Sequence, residues 1–225
     1  EPRNRIVYGA PGTGKSRKLE NHSKVSFPFD DQVMRLTFHN SYSYSHFIGS
    51  YRPVPLYQES EKAIFDSDKC TKLTDNKEPL IDYRFEPGPF LEMFCRAKKD
   101  SNCDFLLIIE EINRADAASV FGEVFQLLDR DENGESHYPV TLSKAAMDFL
   151  KQRGIDDSEI RIPGNLYLWA TMNSADQGVH PLDAAFKRRW TFEYQTLDEF
   201  ENATQDWKIR LNFLEGDIKW NDFRH

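Results

Sequence analysis

No apolar run in this sequence approaches the ~20 residues that cross a bilayer, and no segment is an internal repeat or of low complexity. These absences exclude a helical membrane span and a solenoid or repeat array. Cysteine is scarce. Cys70, Cys95 and Cys103 lack metal-ligand spacing and cannot all pair, which excludes a disulfide scaffold and a zinc module. They fit reduced thiols in a cytoplasmic protein, with Cys95 in the core. The six histidines are scattered, none at metal spacing from a second ligand. Positive charge is also short, with 29 Lys and Arg against 37 Asp and Glu for a net charge of −8. A domain that wraps nucleic acid alone is normally basic, so contact with DNA is expected to be local or to run through an assembled complex or a separate domain. Glu1-Pro2-Arg3-Asn4 leads straight into a strand pattern rather than a signal peptide. The expected location is the cytoplasm, with no membrane partner.

What the chain does have is 225 residues, 39% hydrophobic and 29% charged, enough for one α/β domain and part of another. Its most specific stretch is Gly9-Ala10-Pro11-Gly12-Thr13-Gly14-Lys15-Ser16, a complete G-x-x-x-x-G-K-[ST] loop. The apolar Arg5–Tyr8 before it reads as a strand, and Arg17–Asn21 after it as the start of a helix. In that context the glycines let backbone N–H groups turn toward phosphate oxygens, and the helix start adds unpaired donors and a positive dipole end. Lys15 would reach the β- and γ-phosphates, Ser16 would hold Mg²⁺, and Arg17 adjoins the same cradle.

Apolar alternation predicts a second strand over 32–38. Residues 54–88 show no clear period and read as a long surface excursion. A helix is expected from Pro89 to Lys99, with Phe90, Leu91, Phe94 and Ala97 on one face. Asp104–Ile109 is a continuous apolar run, as in a strand buried on both faces of a parallel sheet. A helix follows over 115–128, then a turn at 131–135, a return strand over 138–142, and a helix from Ser143 to Arg153 capped by Ser143. Asn165–Thr171 is a further buried strand. Pro181 opens a short helix through Arg188, and Trp190–Tyr194 is a last strand. The expected fold is α/β: a P-loop NTPase with a parallel sheet and flanking helices over residues 1–195, followed over 196–225 by the opening of a small helical lid. Ligands in such sheets gather at the carboxyl ends of the strands.

The polar clusters fall there. Glu110-Glu111 ends an apolar strand, where adjacent carboxylates are costly unless a cation sits among them. Glu110 would contact the metal and Glu111 would deprotonate the attacking water. Asn113 lies beside them and would help place that water. Asn173 ends the next strand, where its amide would meet the γ-phosphate or the water. Lys187-Arg188-Arg189 closes a helix. Its arginines are either capping cations or a finger reaching a neighbouring subunit's nucleotide.

Four stretches together resemble the AAA+ motor domain of the McrB family, the GTPase subunit of modified-DNA restriction systems. They are Gly9–Ser16; Ser41-Tyr42-Ser43-Tyr44-Ser45-His46-Phe47 with Tyr51-Arg52-Pro53; Ile108–Ala115 with Phe121-Gly122-Glu123; and Met172-Asn173-Ser174-Ala175-Asp176 with Leu182–Trp190. The resemblance implies an AAA+ fold, GTP (or ATP) as substrate with Mg²⁺, a homo-oligomeric ring of six and a McrC-like endonuclease partner. It makes Glu111 the catalytic glutamate and Asn173 and Asp176 sensors, with Arg188 and Arg189 acting in trans. Two positions depart from the family pattern: Glu110 where many members have Asp, and Trp190 where the family has Phe. Two other readings remain open, an ATP-driven remodeller of protein complexes and a nucleotide-gated assembly switch.

Overall fold

A computed structural model describes residues 1–59, 77–174 and 178–196, with two short strands at 208–210 and 217–219. Its centre is a five-stranded sheet in the order β2 (Val33–Thr37), β5 (Phe105–Glu110), β6 (Leu166–Asn173), β1 (Asn4–Gly9), β7 (Thr191–Tyr194). Every pairing is parallel, as the AAA+ reading requires.

Period-two alternation splits the sheet's side chains into two cores. Ile6, Leu107, Ile109, Leu168 and Ala170 face a large cluster with α3 (Pro89–Lys99) and α5 (Lys144–Gln152). Val7, Leu106, Ile108 and Trp169 face a smaller one beneath Leu19 of α1 (Lys15–Ser26) and Phe27. Helix α3 spans the expected residues with its apolar face buried. The Ser143 side chain caps α5 by accepting the Ala146 N–H. Cys95 is buried and Cys103 partly so, and both are free thiols; Cys70 lies outside the described residues.

Four local expectations change. The helix expected over 115–128 is broken into α4 (Ala117–Phe121), capped by Asp116, and a 3₁₀ stretch Gly122–Leu128. The break is at Gly122, whose φ is 52° and where an added Cβ would lie 2.8 Å from the Tyr44 ring. Its inner face, Val120, Val124, Leu127 and Leu128, is buried as expected. The return strand over 138–142 reduces to one bridge between Val140 and Ile160. The turn before it does form, with Asp131 Oδ1 accepting the N–H of Asn133 and of Glu135, each at 2.9 Å. The short helix α6 is Ala184–Lys187, because Asp183 rather than Pro181 caps it, accepting the Phe186 N–H at 2.6 Å.

The largest change is in the stretch read as a surface excursion. It holds an antiparallel hairpin, β3 (Gly49–Glu59) with β4 (Lys77–Pro87), entered through the short helix α2 (Tyr44–Phe47). Its register pairs Tyr51 with Phe85, Pro53 with Tyr83, Pro55 with Ile81 and Tyr57 with Pro79 on one face. The other face carries Arg52 with Arg84 and Val54 with Asp82. Both strands are edges, where proline is tolerated. Beyond residue 196 the described residues are β8 (Lys208–Arg210) and β9 (Asp217–Lys219), paired antiparallel. The rest of the lid expected over 196–225 lies outside the described residues.

Candidate nucleotide site

The loop Gly9–Ser16 leaves the carboxyl end of β1 and enters α1 through Gly12 and Gly14, at φ 79° and 83°. That left-handed backbone suits glycine, and it turns the α1 start toward the sheet edge without any side-chain cap. Lys15 is 6% exposed, and its Nζ donates to the Ala10 carbonyl at 2.7 Å and the Gly9 carbonyl at 3.3 Å. Thr13 Oγ1 also donates to the Ala10 carbonyl, at 2.9 Å. The cation is thus held inside the loop by loop atoms. Pro11, Gly12, Ser16 and Arg17 face solvent.

Register gathers the acids beside it. Val7 aligns with Thr171, and Arg35 with Ile108. Alternation therefore puts Thr171, Glu110 and Arg35 on the α1 face, next to Ser16 at the helix start. The contacts follow. Ser16 Oγ donates to Glu110 Oε2 at 2.8 Å, and the Thr171 hydroxyl donates to the same oxygen. Arg35 Nη1 donates to Glu110 Oε1 at 2.6 Å.

Glu111 turns the other way. Its φ of 56° is the one positive value at a non-glycine residue among those described. A left-handed backbone costs such a residue roughly 1–2 kcal/mol. Its N–H donates to Thr171 Oγ1 at 3.1 Å. Asn173 Nδ2 donates to both carboxylate oxygens, at 2.7 and 2.8 Å. Arg114 Nε lies 3.5 Å from Oε2. Asn113 Nδ2 donates to the Asn173 carbonyl at 2.9 Å, and its Oδ1 is buried with no hydrogen-bond partner among the described residues. The Ser174 N–H donates to the Gly9 carbonyl at 3.1 Å. One connected network therefore joins the ends of β1, β5 and β6.

The structure brings together Gly9–Ser16, Glu110, Glu111, Asn113 and Asn173. It separates the two arginines. Arg189 is spent within its own domain, donating from Nε and Nη2 to Asp129 Oδ2 at 3.0 and 2.7 Å and stacking 4.1 Å over the Phe125 ring. Arg188 is exposed at the end of α6. Asp176 lies outside the described residues.

Sequence reasoning missed two partners of Glu110, Thr171 and Arg35. Each left a trace: Arg35 is the one charged residue of β2, and Thr171 is the first aliphatic hydroxyl or amide side chain along β6. It also missed the use of Tyr44, whose hydroxyl donates to Glu123 at 2.6 Å. Burial and that carboxylate push the Tyr44 pKa above its ordinary value.

Two hard oxygen donors side by side, Ser16 Oγ and Glu110 Oε2, fit Mg²⁺, which takes one or two protein oxygens together with phosphates and waters rather than an all-protein cage. No cluster of three or more His, Cys, Asp or Glu suits a metal among the described residues. A phosphate loop between strand and helix, with paired acids ending a neighbouring strand and an amide ending the next, defines a P-loop NTPase fold of the AAA+ type.

The chain belongs to the dynein-related subfamily of AAA domains, whose family pattern matches residues 4–190. It is 53% identical over 228 residues to component YdiS of the type II restriction enzyme BsuMI of Bacillus subtilis (strain 168), covering 99% of this chain and 66% of that protein. It is 30% identical over 222 residues to the EcoKMcrB subunit of the type IV methyl-directed restriction enzyme of Escherichia coli (strain K12), covering 95% of this chain and 40% of that one. The McrB resemblance read from the motifs is thus borne out, and the chain spans only part of each relative. A solved structure from Cytophaga hutchinsonii is more distant, at 17% identity and a TM-score of 0.45, covering 96% of this chain and 49% of that one. No helix among the described residues is long and apolar enough to cross a membrane.

Proposed function

We propose that this domain hydrolyses a nucleoside triphosphate, with GTP favoured over ATP, as the ring-forming motor of a restriction system. The carrying observation is the division of labour between the adjacent acids. Glu110 faces the Ser16 hydroxyl, while Glu111 is turned away by its left-handed backbone and oriented by Asn173 on both oxygens. The triphosphate lies on the loop amides and the α1 start, with Lys15 leaving its loop carbonyls for the β- and γ-phosphates. Ser16 and Glu110 would hold Mg²⁺, which when bound would supply positive charge against the phosphates. Glu111 accepts a proton from the water that attacks the γ-phosphorus as the bond to the leaving β-phosphate oxygen breaks. Asn113 helps place that water indirectly, by donating to the Asn173 carbonyl and so fixing the end of β6.

Arg188, exposed on the last turn of α6, is the finger offered to a neighbour in a ring of six. Arg189 fixes that turn through Asp129. The similarity to restriction components supports a McrC-like endonuclease as the driven partner, with DNA reached through the assembled complex, and a cytoplasmic location. The test is a titration of the protein with fluorescent GTP and ATP in the presence of Mg²⁺, followed by phosphate release against protein concentration. Tighter GTP binding and specific activity that rises with concentration are expected. Hydrolysis independent of concentration rules out the trans finger, and ATP preference overturns the nucleotide assignment.

A further inference from the structure

Glu110 divides its two oxygens between unlike partners. Oε2 takes two hydroxyls, Ser16 and Thr171, while Oε1 takes the guanidinium of Arg35 at 2.6 Å. Arg35 stands on the edge strand β2, with its side chain 37% exposed against 11% for Glu110. Glu110 is its one ion-pair contact among the described residues, and its charge also bears on Glu20 of α1. With Glu110 buried, the desolvation of its carboxylate offsets much of the attraction within the pair. Its electrostatic consequence is larger, because it sets a permanent positive charge on the carboxylate assigned to the metal.

Chain length at position 110 makes the arrangement feasible. An Asp would be shorter by one methylene, about 1.5 Å, and could not hold the Ser16 and Thr171 hydroxyls on one oxygen while meeting Arg35 on the other. The Glu that departs from the family pattern and the Arg on the neighbouring strand thus form one device.

We infer that Arg35 is the counter-ion of the metal acid and sets how tightly Mg²⁺ is held in the nucleotide site. The inference rests on the assignment of Ser16 and Glu110 to Mg²⁺ made above. With Arg35 in place, Glu110 presents one oxygen and roughly no net charge toward the Ser16 side. Without it, the hydroxyls still orient Oε2 and the full carboxylate charge acts on the cation. Charge and orientation therefore predict opposite signs. A purely orienting arginine would strengthen Mg²⁺ binding, whereas a counter-ion weakens it, and the retained hydroxyl contacts favour the second.

The experiment reads binding, not turnover. Anisotropy of N-methylanthraniloyl-GTP is titrated with Mg²⁺ for the parent protein, Arg35→Met, Arg35→Lys, Glu110→Asp and the Arg35→Met, Glu110→Asp double variant. Arg35→Met should lower the Mg²⁺ concentration at half-saturation roughly 3- to 5-fold, the size expected for one partly exposed charge. Arg35→Lys should stay near the parent. In the Glu110→Asp background, Arg35→Met should shift the midpoint less, because the longer contact weakens the attraction within the pair. Mg²⁺-dependent binding with an unchanged or raised midpoint in Arg35→Met overturns the counter-ion. An equal shift in both backgrounds overturns the link to position 110. Mg²⁺-independent binding by the parent overturns the metal assignment of the proposed function and this inference with it.

Discussion

At the carboxyl edge of the sheet, Glu110, Asn113, Thr171 and Asn173 are 9%, 4%, 1% and 7% exposed, and each is joined to another by a side-chain hydrogen bond. On the hairpin, Tyr57, Ile81 and Tyr83 are 65%, 70% and 65% exposed, on a face set by strand register alone. One region buries polar groups and satisfies nearly all of them, while the other leaves apolar groups in water. The edge is over-determined: carboxylate, hydroxyl and amide come from β5 and β6, and removing one strands another in a low-dielectric site. The hairpin face has no such interlock. Among the described residues its base is tied down, where Phe85 meets Phe149 at 5.7 Å between ring centroids.

The comparison can be broken most sharply at Glu111. Glu111→Gln keeps the length of the side chain and one of its two Asn173 hydrogen bonds but removes the proposed base, so turnover should fall by roughly 10²–10⁴-fold while triphosphate binding and assembly persist. Phosphate release beside a binding isotherm checks this, and near-normal turnover would move the role of base to Glu110 or Asn113. Lys15→Ala should cost on the order of 100-fold in triphosphate affinity, the worth of charge-assisted hydrogen bonds, read by anisotropy of a labelled nucleotide. Unchanged affinity would sink the phosphate-loop reading.

The arginine pair sharpens the contrast within one turn of helix. Arg189→Ala loses the Asp129 ion pair and the stacking on Phe125, at about 2 kcal/mol, so melting should fall by roughly 4–8 °C. Arg188→Ala should leave melting unchanged and remove concentration-dependent turnover. Mixing Arg188→Ala subunits with Glu111→Gln subunits should restore part of it, because some interfaces then pair a sound base with a sound finger. No rescue on mixing would rule out the trans role. The smallest effect belongs to the hairpin. Ile81→Ser should change stability by less than about 0.5 kcal/mol, whereas Ile108→Ser, at a fully buried position, should cost more than about 3 kcal/mol. Denaturant melts of the two variants compare the regions directly.

How much of this was legible depends on where each constraint lies. The phosphate loop, the buried strands and α3 are local patterns, and they read correctly because glycine spacing and hydrophobic period act over a few residues. The roles of Thr171 and Arg35 arise only when β6 and β2 dock on either side of β5 in one register, which no local window contains. The hairpin hid for the opposite reason. With apolar residues in water on one face and mixed residues on the other, burial does not stamp a clean alternation on the sequence, and Pro53, Pro55 and Pro79 look like loop. At Gly122 the sequence offers a glycine, but that its place admits no side chain shows only when the distant Tyr44 ring packs against it.

The left-handed backbone at Glu111 also sets a direction for change in this chain. Glycine or asparagine adopts that conformation with less strain than glutamate does. A library enriched only for survival at high temperature should therefore drift away from glutamate at position 111, toward hardier proteins that lack the proposed base. Selection that also demands turnover would hold the position fixed and collect its stabilising changes elsewhere. The strain at one residue thus becomes a marker of which pressure a lineage has been under.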